Sequence, residues 1–490
     1  MTRPRPAEEP PGGSRWSSGL SRWWRRLAAL RLDLTPMRTS RDFRLLWIAG
    51  TVFYLGGMMT YVALPYQLYH LTGSNFAVGA LGLIQLVPLI ACGLYGGALA
   101  DRVDRRSVLV ATGTAQCLLT VVLLVNAALA RPSVGLIYAV AVLLTVAQSL
   151  QRPSREALTP RVVRHDELPA AVTLSSVGMQ TGMLAGPALA GVILATSGAV
   201  WAYTVDVCGL MIATALFATL RRYPPLQDTV QAGLAGAARG IADGLRYAVR
   251  RKDLLGTYIV DLTAMFLAMP IVLFPAFAAD VLREPTMLGL LYSAGTVGSL
   301  VATATSGWTA RVHHHGRAVV LAAACWGAAV VFAGLAPSAW LAIVALAFAG
   351  AADMISGIFR SVIWHQTIPD ERRGRLAGIE MLSYSIGPMG GEARAGLVAD
   401  ATSVRTSIVS GGVLCVVGVA LVSAWLREFW GYDARTDEHA VRERDIRAAR
   451  SAAEAAGATA GVTTAAGVTR AAGVTGAAAA GSVGDPSTSS

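Results

Sequence analysis

Charge is scarce in this chain. Only 14% of its 490 residues are Asp, Glu, Lys or Arg, 54% are hydrophobic, and the mean hydropathy is +0.52. A soluble domain carries about a quarter charged residues, so that class is excluded. Paired cysteine spacing is also absent. Cys92, Cys117, Cys208, Cys325 and Cys415 each fall inside an apolar run, with no CxxC or Cys/His pattern, and read as packing residues. No signal-peptide core is visible, because the one early apolar patch, 27–30, is far too short. The amino terminus is therefore expected in the cytoplasm. Nor is there a His/Asp or Cys/His constellation placed for chemistry at an interface, so neither an enzyme nor a cofactor is expected. The run His313-His314-His315 cannot converge on one ion and reads as a weakly basic loop, leaving no metal site.

What the chain has instead is a succession of long apolar runs. A span needs roughly 20 apolar residues, and about twelve such runs follow one another. They cover 43–69, 76–100, 108–129, 134–150, 168–195, 200–220, 254–279, 288–310, 318–335, 340–359, 376–399 and 407–425. The expected fold is an all-α membrane protein with twelve transmembrane helices. The net charge of +11 is no nucleic-acid footprint, because the arginines gather in short connections at alternate ends of the runs. Arg102, Arg105 and Arg106, then Arg152, Arg155, Arg161 and Arg164, then Arg372, Arg373 and Arg375 all fall on one side. By the positive-inside rule that side is the cytoplasm, which holds both termini of a multi-pass cell-membrane protein.

The domain division expected is a tail at 1–41, a six-helix half at 42–220, a central loop at 221–252, a second half at 253–427, and a low-complexity tail at 428–490. Within the first tail, Trp16, Trp23, Trp24, Leu27 and Leu30 alternate with arginines. That pattern fits either an interfacial helix on anionic lipid or a solvated basic tail. An amphipathic surface helix is expected over 236–249, and a helix over 433–450 before the Ala-Gly-Val-Thr copies of the end. A shift of about 210 positions lays Pro65 on Pro275, Gly97 on Gly307, Arg152 on Arg360, and Leu174-Ser175 near Leu382-Ser383.

Two stretches carry motifs. Residues 97–106 place Gly97 before Asp101, Arg102, Asp104, Arg105 and Arg106, crowding charge between two spans. The stretch resembles the loop between the second and third helices of the major facilitator superfamily, with Asp104 where that family usually has Gly. Asp is one of the few residues that tolerates the left-handed backbone a Gly would adopt there. Gly178, Gly182, Gly186-Pro187 and Gly191 resemble the antiporter motif of the family's fifth helix. Glycines admit a close partner helix, and Pro187 weakens the helix it interrupts. The stretches 62–69, 152–155 and 373–380 are similar to the drug and siderophore exporter branch of that superfamily. The resemblance implies two pseudo-symmetric six-helix halves with a substrate cavity between them. It also implies that the charged loop latches the halves, with Asp101 facing Arg155 or Arg161.

Ionisable residues inside spans cost at least about 2.5 kcal/mol at the centre, so they are usually functional or paired. Asp261, Glu392, Asp353 and Asp206 are the candidates for proton coupling, Glu380 is shallower, and Arg394 is a charge partner or anion contact. Glu392 and Arg394 stand two apart and cannot share one helix face. Together these readings predict a monomeric secondary transporter that exports a small amphiphilic compound, a drug, antibiotic or siderophore, by alternating access coupled to protons in the lipid bilayer. Tyr54, Met58, Phe266 and Trp364 are candidates to meet such a substrate. Uptake of a small metabolite by symport and a non-transporting scaffold or sensor are the alternatives.

Overall fold

The structure, a computed structural model, describes residues 33–223, 243 and 245–449. Side chains within 93–102, 370–375, 377, 378, 381 and 382 fall outside that description. The tail 1–32, most of the expected surface helix at 236–249, and the low-complexity repeats lie outside the described residues.

Twelve long helical elements follow one another. They are α1 (Arg41–Thr72), α2 (Asn75–Arg102), α3 (Arg105–Ala128), α4 (Val134–Val162), α5 (Leu168–Ser197) and α6 (Ala199–Ala218). Then come α7 (Lys252–Ala268, continued irregularly to Val281), α8 (Leu288–Ala304), α9 (His315–Leu335), α10 (Ala339–Thr367), α11 (Asp370–Ala401) and α12 (Val404–Trp425). Eleven of the described helical stretches are long and apolar enough to cross a membrane. The twelfth element, α11, is 32 residues long and carries Glu380, Glu392, Arg394 and Asp400 along its length.

Local chemistry sets the ends. Ser40, Ser133 and Ser403 cap α1, α4 and α12 by accepting backbone N–H groups. Gly73, at φ 65°, ends α1 in a left-handed turn that an L side chain would resist. The turn from α3 to α4 is closed by Asn126, whose side chain bonds both the N–H and the carbonyl of Ser133. In α7 the residue before Pro270 is pushed to extended backbone, and Met269 has φ −81° and ψ 106°. The α-helix therefore stops at Ala268, and short 3-10, α and π turns carry the chain to Val281.

The helix ends differ from the sequence expectation in one instructive way. Spans four and ten were placed at 134–150 and 340–359, with the following arginines in loops. Both helices run on, to Val162 and Thr367, so Arg152, Arg155 and Arg360 are helical. Pro153 and Arg360 look like span terminators, yet the helix continues through both.

Helix neighbours repeat. α1 packs on α5 and α6, α2 on α4, and α3 on α4 and α6; α7 packs on α11 and α12, α8 on α10, and α9 on α10 and α12. Adding six to each number of the first set gives the second. The two halves are joined chiefly through α2 against α11 and α5 against α8, pairs that exchange under the same operation. Glycine permits the joins: a Cβ at Gly191 of α5 would lie 2.1 Å from the Gly289 nitrogen of α8. A Cβ at Gly396 of α11 would lie 2.3 Å from the Asn75 carbonyl oxygen of α2. Without a hydrophobic drive between helices in lipid, such backbone approach supplies the van der Waals contact that holds them.

Past α12 the chain turns back onto the second half. Phe429, fully buried, fits against Gly256 of α7, and its carbonyl meets Gly316 of α9. Lys252 pairs with Glu428, the Ala434 N–H donates to the His313 carbonyl, and Arg447 donates to the His365 carbonyl. Losing a buried aromatic ring costs about 3–5 kcal/mol. Phe429→Ala is expected to lower the thermal midpoint of the detergent-solubilised protein clearly, and an unchanged midpoint would show that this anchor contributes nothing.

Candidate functional site

A cavity of about 270 Å³ lies between the halves. α1, α2 and α4 build most of its wall, α7 adds Ile271 and Val272, and α11 adds Glu392. Along α4 its lining runs from Leu144 to Arg155, about 16 Å at a rise of about 1.5 Å per residue. Tyr54, Arg152 and Arg155 are shared with a second cavity of about 520 Å³, which extends between α1, α4 and α5 toward the arginine-rich end of the bundle. Arg155 lies over the Tyr54 ring, 4.3 Å from its centroid, and donates to its hydroxyl. Arg152 pairs with Glu156 at 2.9 Å.

The opposite, arginine-poor end is closed by contacts between the halves. Asp400, at the end of α11, accepts from the N–H groups of Asn75 at 2.8 Å and Phe76 at 3.0 Å, and from the Asn75 amide at 3.0 Å. The Ser74 hydroxyl donates to it as well. A carboxylate from one half thus caps the start of α2 in the other, where unsatisfied N–H groups and the helix dipole favour negative charge. Beside it the Tyr69 hydroxyl donates to Asp280. Sequence reasoning missed this closure, because acids at span ends pass for interfacial charge.

The candidate ionisable residues fall in three places. Asp261 of α7 is buried and paired with Arg360 of α10, and it accepts from Ser383 of α11 at 3.2 Å. Arg360 also reaches Asp353, one oxygen of which lies 3.7 Å away, and it stands over the Tyr384 ring. Asp261, Arg360 and Asp353 therefore form one cluster inside the second half, with Glu380 within reach of the guanidinium's field. Arg360 was the missed member. Its signal was its spacing from Asp353, seven residues or two turns, which puts both on one face.

Glu392 stands elsewhere, on the cavity. A Cβ at Gly82 of α2 would lie 2.8 Å from its Oε2, and Tyr61 of α1 and Tyr292 of α8 are within its field. Among the described residues it has no hydrogen bond and no ion pair. Arg394 turns to α12, with a guanidinium nitrogen 2.6 Å from where a Gly411 Cβ would sit. No ion pair joins it to any described residue, so it is not the partner of Asp261 or of Glu392. Asp206 of α6 is buried against Gly56 of α1 and accepts from Thr60, with no cation beside it.

The motif glycines divide their work. Gly178, Gly182 and Gly186 face α1 at Thr51, Tyr54 and Met58, while Gly191 faces α8, and Pro187 presents its carbonyl to Gly289. In the charged loop, Gly97, Asp101 and Arg102 lie on the final turns of α2, with side chains outside the described residues. Arg105 donates to the Ala157 carbonyl of α4 at 2.9 Å, and Arg106 to that of Ala218 at the end of α6. Asp104 does not take a left-handed backbone. With φ −54° and ψ 120° it caps α3, accepting from Ser107, and it also accepts from the Tyr223 N–H at 2.9 Å. Of the expected substrate contacts, Tyr54 and Met58 line the cavity. Trp364 is buried, stacked on Tyr258 and bonded to Thr257, and Phe266 packs on Gly390. The histidine run has a structural use, His315 contacting the Val312 carbonyl and His314 facing Asp433. No metal-binding cluster occurs among the described residues.

A twelve-helix bundle in two matching halves, with an inter-half cavity and charges buried in its spans, defines a membrane transporter of the major facilitator fold. Residues 32–449 match the transmembrane secretion effector family of that superfamily, and the chain belongs to it. It is 27% identical to the enterobactin exporter EntS of Citrobacter koseri over 394 residues, 80% of this chain and 93% of the relative. The EntS of Shigella flexneri aligns with the same identity and coverage. Among solved structures, a bacterial homologue of the human lysosomal transporter Spinster superposes with a TM-score of 0.63 at 13% identity, covering 79% of this chain and 97% of that one. The nucleoside transporter NupG superposes with a TM-score of 0.62 at 13% identity, covering 79% and 98%.

Two outcomes test this geometry. Removing the inter-half cap with Asp400→Ala costs about 1 kcal/mol, a several-fold shift in population. Spin labels on the α1–α2 and α11–α12 turns are expected to show more separated pairs, and an unchanged distance distribution would reject the closure. For Asp104, burial pushes the pKa up, but the bonds from Ser107 and Tyr223 outweigh it and hold the group below its usual value. A depressed folded pKa stabilises above the unfolded value, near about 4, and that stability is lost as pH falls through the folded value. Asp104→Asn should therefore destabilise at pH 7 and converge with the native protein in acid, as read by thermal midpoints across pH.

Proposed function

We propose that this transporter exports a small amphiphilic compound of the siderophore or drug class from the cytoplasm, by alternating access driven by proton entry. One observation carries the reading: the cavity between the halves is closed by inter-half contacts at the arginine-poor end, and its lining continues toward the arginine-rich end. By the positive-inside rule the arginine-rich end is cytoplasmic, which supports a state that loads substrate from within and both termini on that side. The kinship to enterobactin exporters supports the outward direction and the substrate class. The glycine face of α5 allows the close sliding contact with α1 and α8 that a rocking half needs.

The cluster in the second half supplies a coupling device. Arg360 is held by Asp261 and has Asp353 within reach. Protonating Asp261 releases the guanidinium toward Asp353, and deprotonation draws it back. A buried cation with two alternative acids thus has two arrangements of α7 against α10, which a proton selects between. Asp101 remains the proposed latch at the cytoplasmic end.

Efflux from a pump-deficient cell across a substrate panel, repeated after collapse of the proton gradient, tests the direction and the drive. Asp261→Asn is expected to cut gradient-driven efflux at least tenfold while substrate binding persists. Accumulation in place of efflux would reject export, and full efflux by Asp261→Asn at every pH would reject the coupling assignment.

A further inference from the structure

The cavity has opposite charge at its two ends. Arg152 and Arg155 stand at the wide, arginine-rich mouth, and each is already engaged, by Glu156 and by Tyr54. Glu392 stands at the blind end. It is about 12 Å inside the closure made by Asp400, at a rise of about 1.5 Å per residue. The level is fixed independently across α2 and α4, because Gln85 donates to the Ala141 carbonyl and Gly82 lies one turn nearer the closure.

Every other candidate acid in the spans is answered by the protein. Asp261 and Asp353 share Arg360, and Asp206 accepts from Thr60 and is walled in by Gly56. Glu392 alone of the four opens on the cavity and has no donor or cation among the described residues. Tyr61 lines the cavity with it, as do the polar Thr60, Gln85 and Gln148. Tyr61 stands edge-on to Tyr292, with ring centroids 6.0 Å apart, and Phe274 packs on Tyr292 at 5.1 Å. A carboxylate left without a counter-charge in such a place is costly, and a ligand ammonium answers it by charge and by the adjoining ring faces.

We infer that Glu392 and Tyr61, the latter backed by Tyr292, form an amine subsite, so that the exported compound is a cationic amphiphile whose ammonium group sits at the blind end of the cavity. The inference rests on the proposed export function and names its substrate class. A proton and an ammonium both neutralise that carboxylate, so they exclude each other there. On the cavity with Glu392 stand Tyr61 from α1, Val78, Leu81, Gly82 and Gln85 from α2, and Ile271 and Val272 from the continuation of α7, with Tyr292 of α8 behind Tyr61. Arg152 and Arg155 share the cavity from its far end. Competition therefore strengthens as pH falls, and the apparent affinity for the amine weakens.

The test uses the full-length chain in proteoliposomes with an imposed pH gradient and three probes of similar size. They are a lipophilic tertiary-amine dye, its neutral carbon isostere, and an anionic catecholate. The amine is expected to be carried at least tenfold faster than the isostere, and Glu392→Gln to lose that preference. Gly82→Ala, which crowds the carboxylate without removing it, should lower the amine-to-isostere ratio as well. An unchanged ratio in both variants overturns the subsite. Transport of the catecholate alone, insensitive to Glu392→Gln, overturns it too but leaves export standing. If a folded wild-type protein carries none of the three, the export reading falls and this inference with it.

Discussion

Helices in hydrocarbon satisfy their own backbones and gain no hydrophobic energy from meeting each other, so close approach has to come from small residues. That constraint organises this structure. Gly178, Gly182 and Gly186 let α1 lie along α5, Gly191 meets Gly289 where α5 crosses α8, and Gly396 meets Asn75 where α11 crosses α2. The last two crossings join the halves near the arginine-poor end. A larger residue there would prop the halves apart, so the closed end depends on the absence of side chains as much as on the Asp400 cap.

The same low-dielectric setting sorts the charges. A buried ion costs several kcal/mol unless it is paired and bonded. Asp261 meets that cost with Arg360 and Ser383, whereas Asp400 is exposed at the end of α11 and is held by the open start of α2. The first arrangement has an alternative partner within reach in Asp353, and the second has none. One is built to rearrange within a half, while the other separates only when the halves do. The proposed coupling device and the closure between the halves thus use one rule of electrostatics at two places that differ in what else is near.

Much of the fold was legible in the sequence, because run length and arginine placement report the bilayer directly. Helix ends were less so. Proline and arginine were read as stops, yet α4 continues through Pro153 and α10 through Arg360, since a helix may leave the bilayer without unwinding. That misreading hid Arg360 among loop charges and left Asp261 without its partner. Arg394 and Glu392 stand two apart and so point to different sides, and the Arg394 side chain lies on α12. At Asp104, where a glycine is common, the left-handed backbone that Asp tolerates is not used, because the side chain supplies a helix cap instead.

The repeat makes the division of labour between the halves concrete. Arg152 and Arg360 occupy matching positions on α4 and α10, yet the first side chain is 75% accessible beside Glu156 and the second is 3% accessible between two aspartates. An exposed pair of that kind contributes little to stability and can open cheaply, which suits the mouth of a cavity. A buried arginine cannot be left unpaired, so any movement of α10 must hand it from one acid to another. Divergence at a single repeated position has thus given one half an exposed rim charge and the other a buried charge held between two helices.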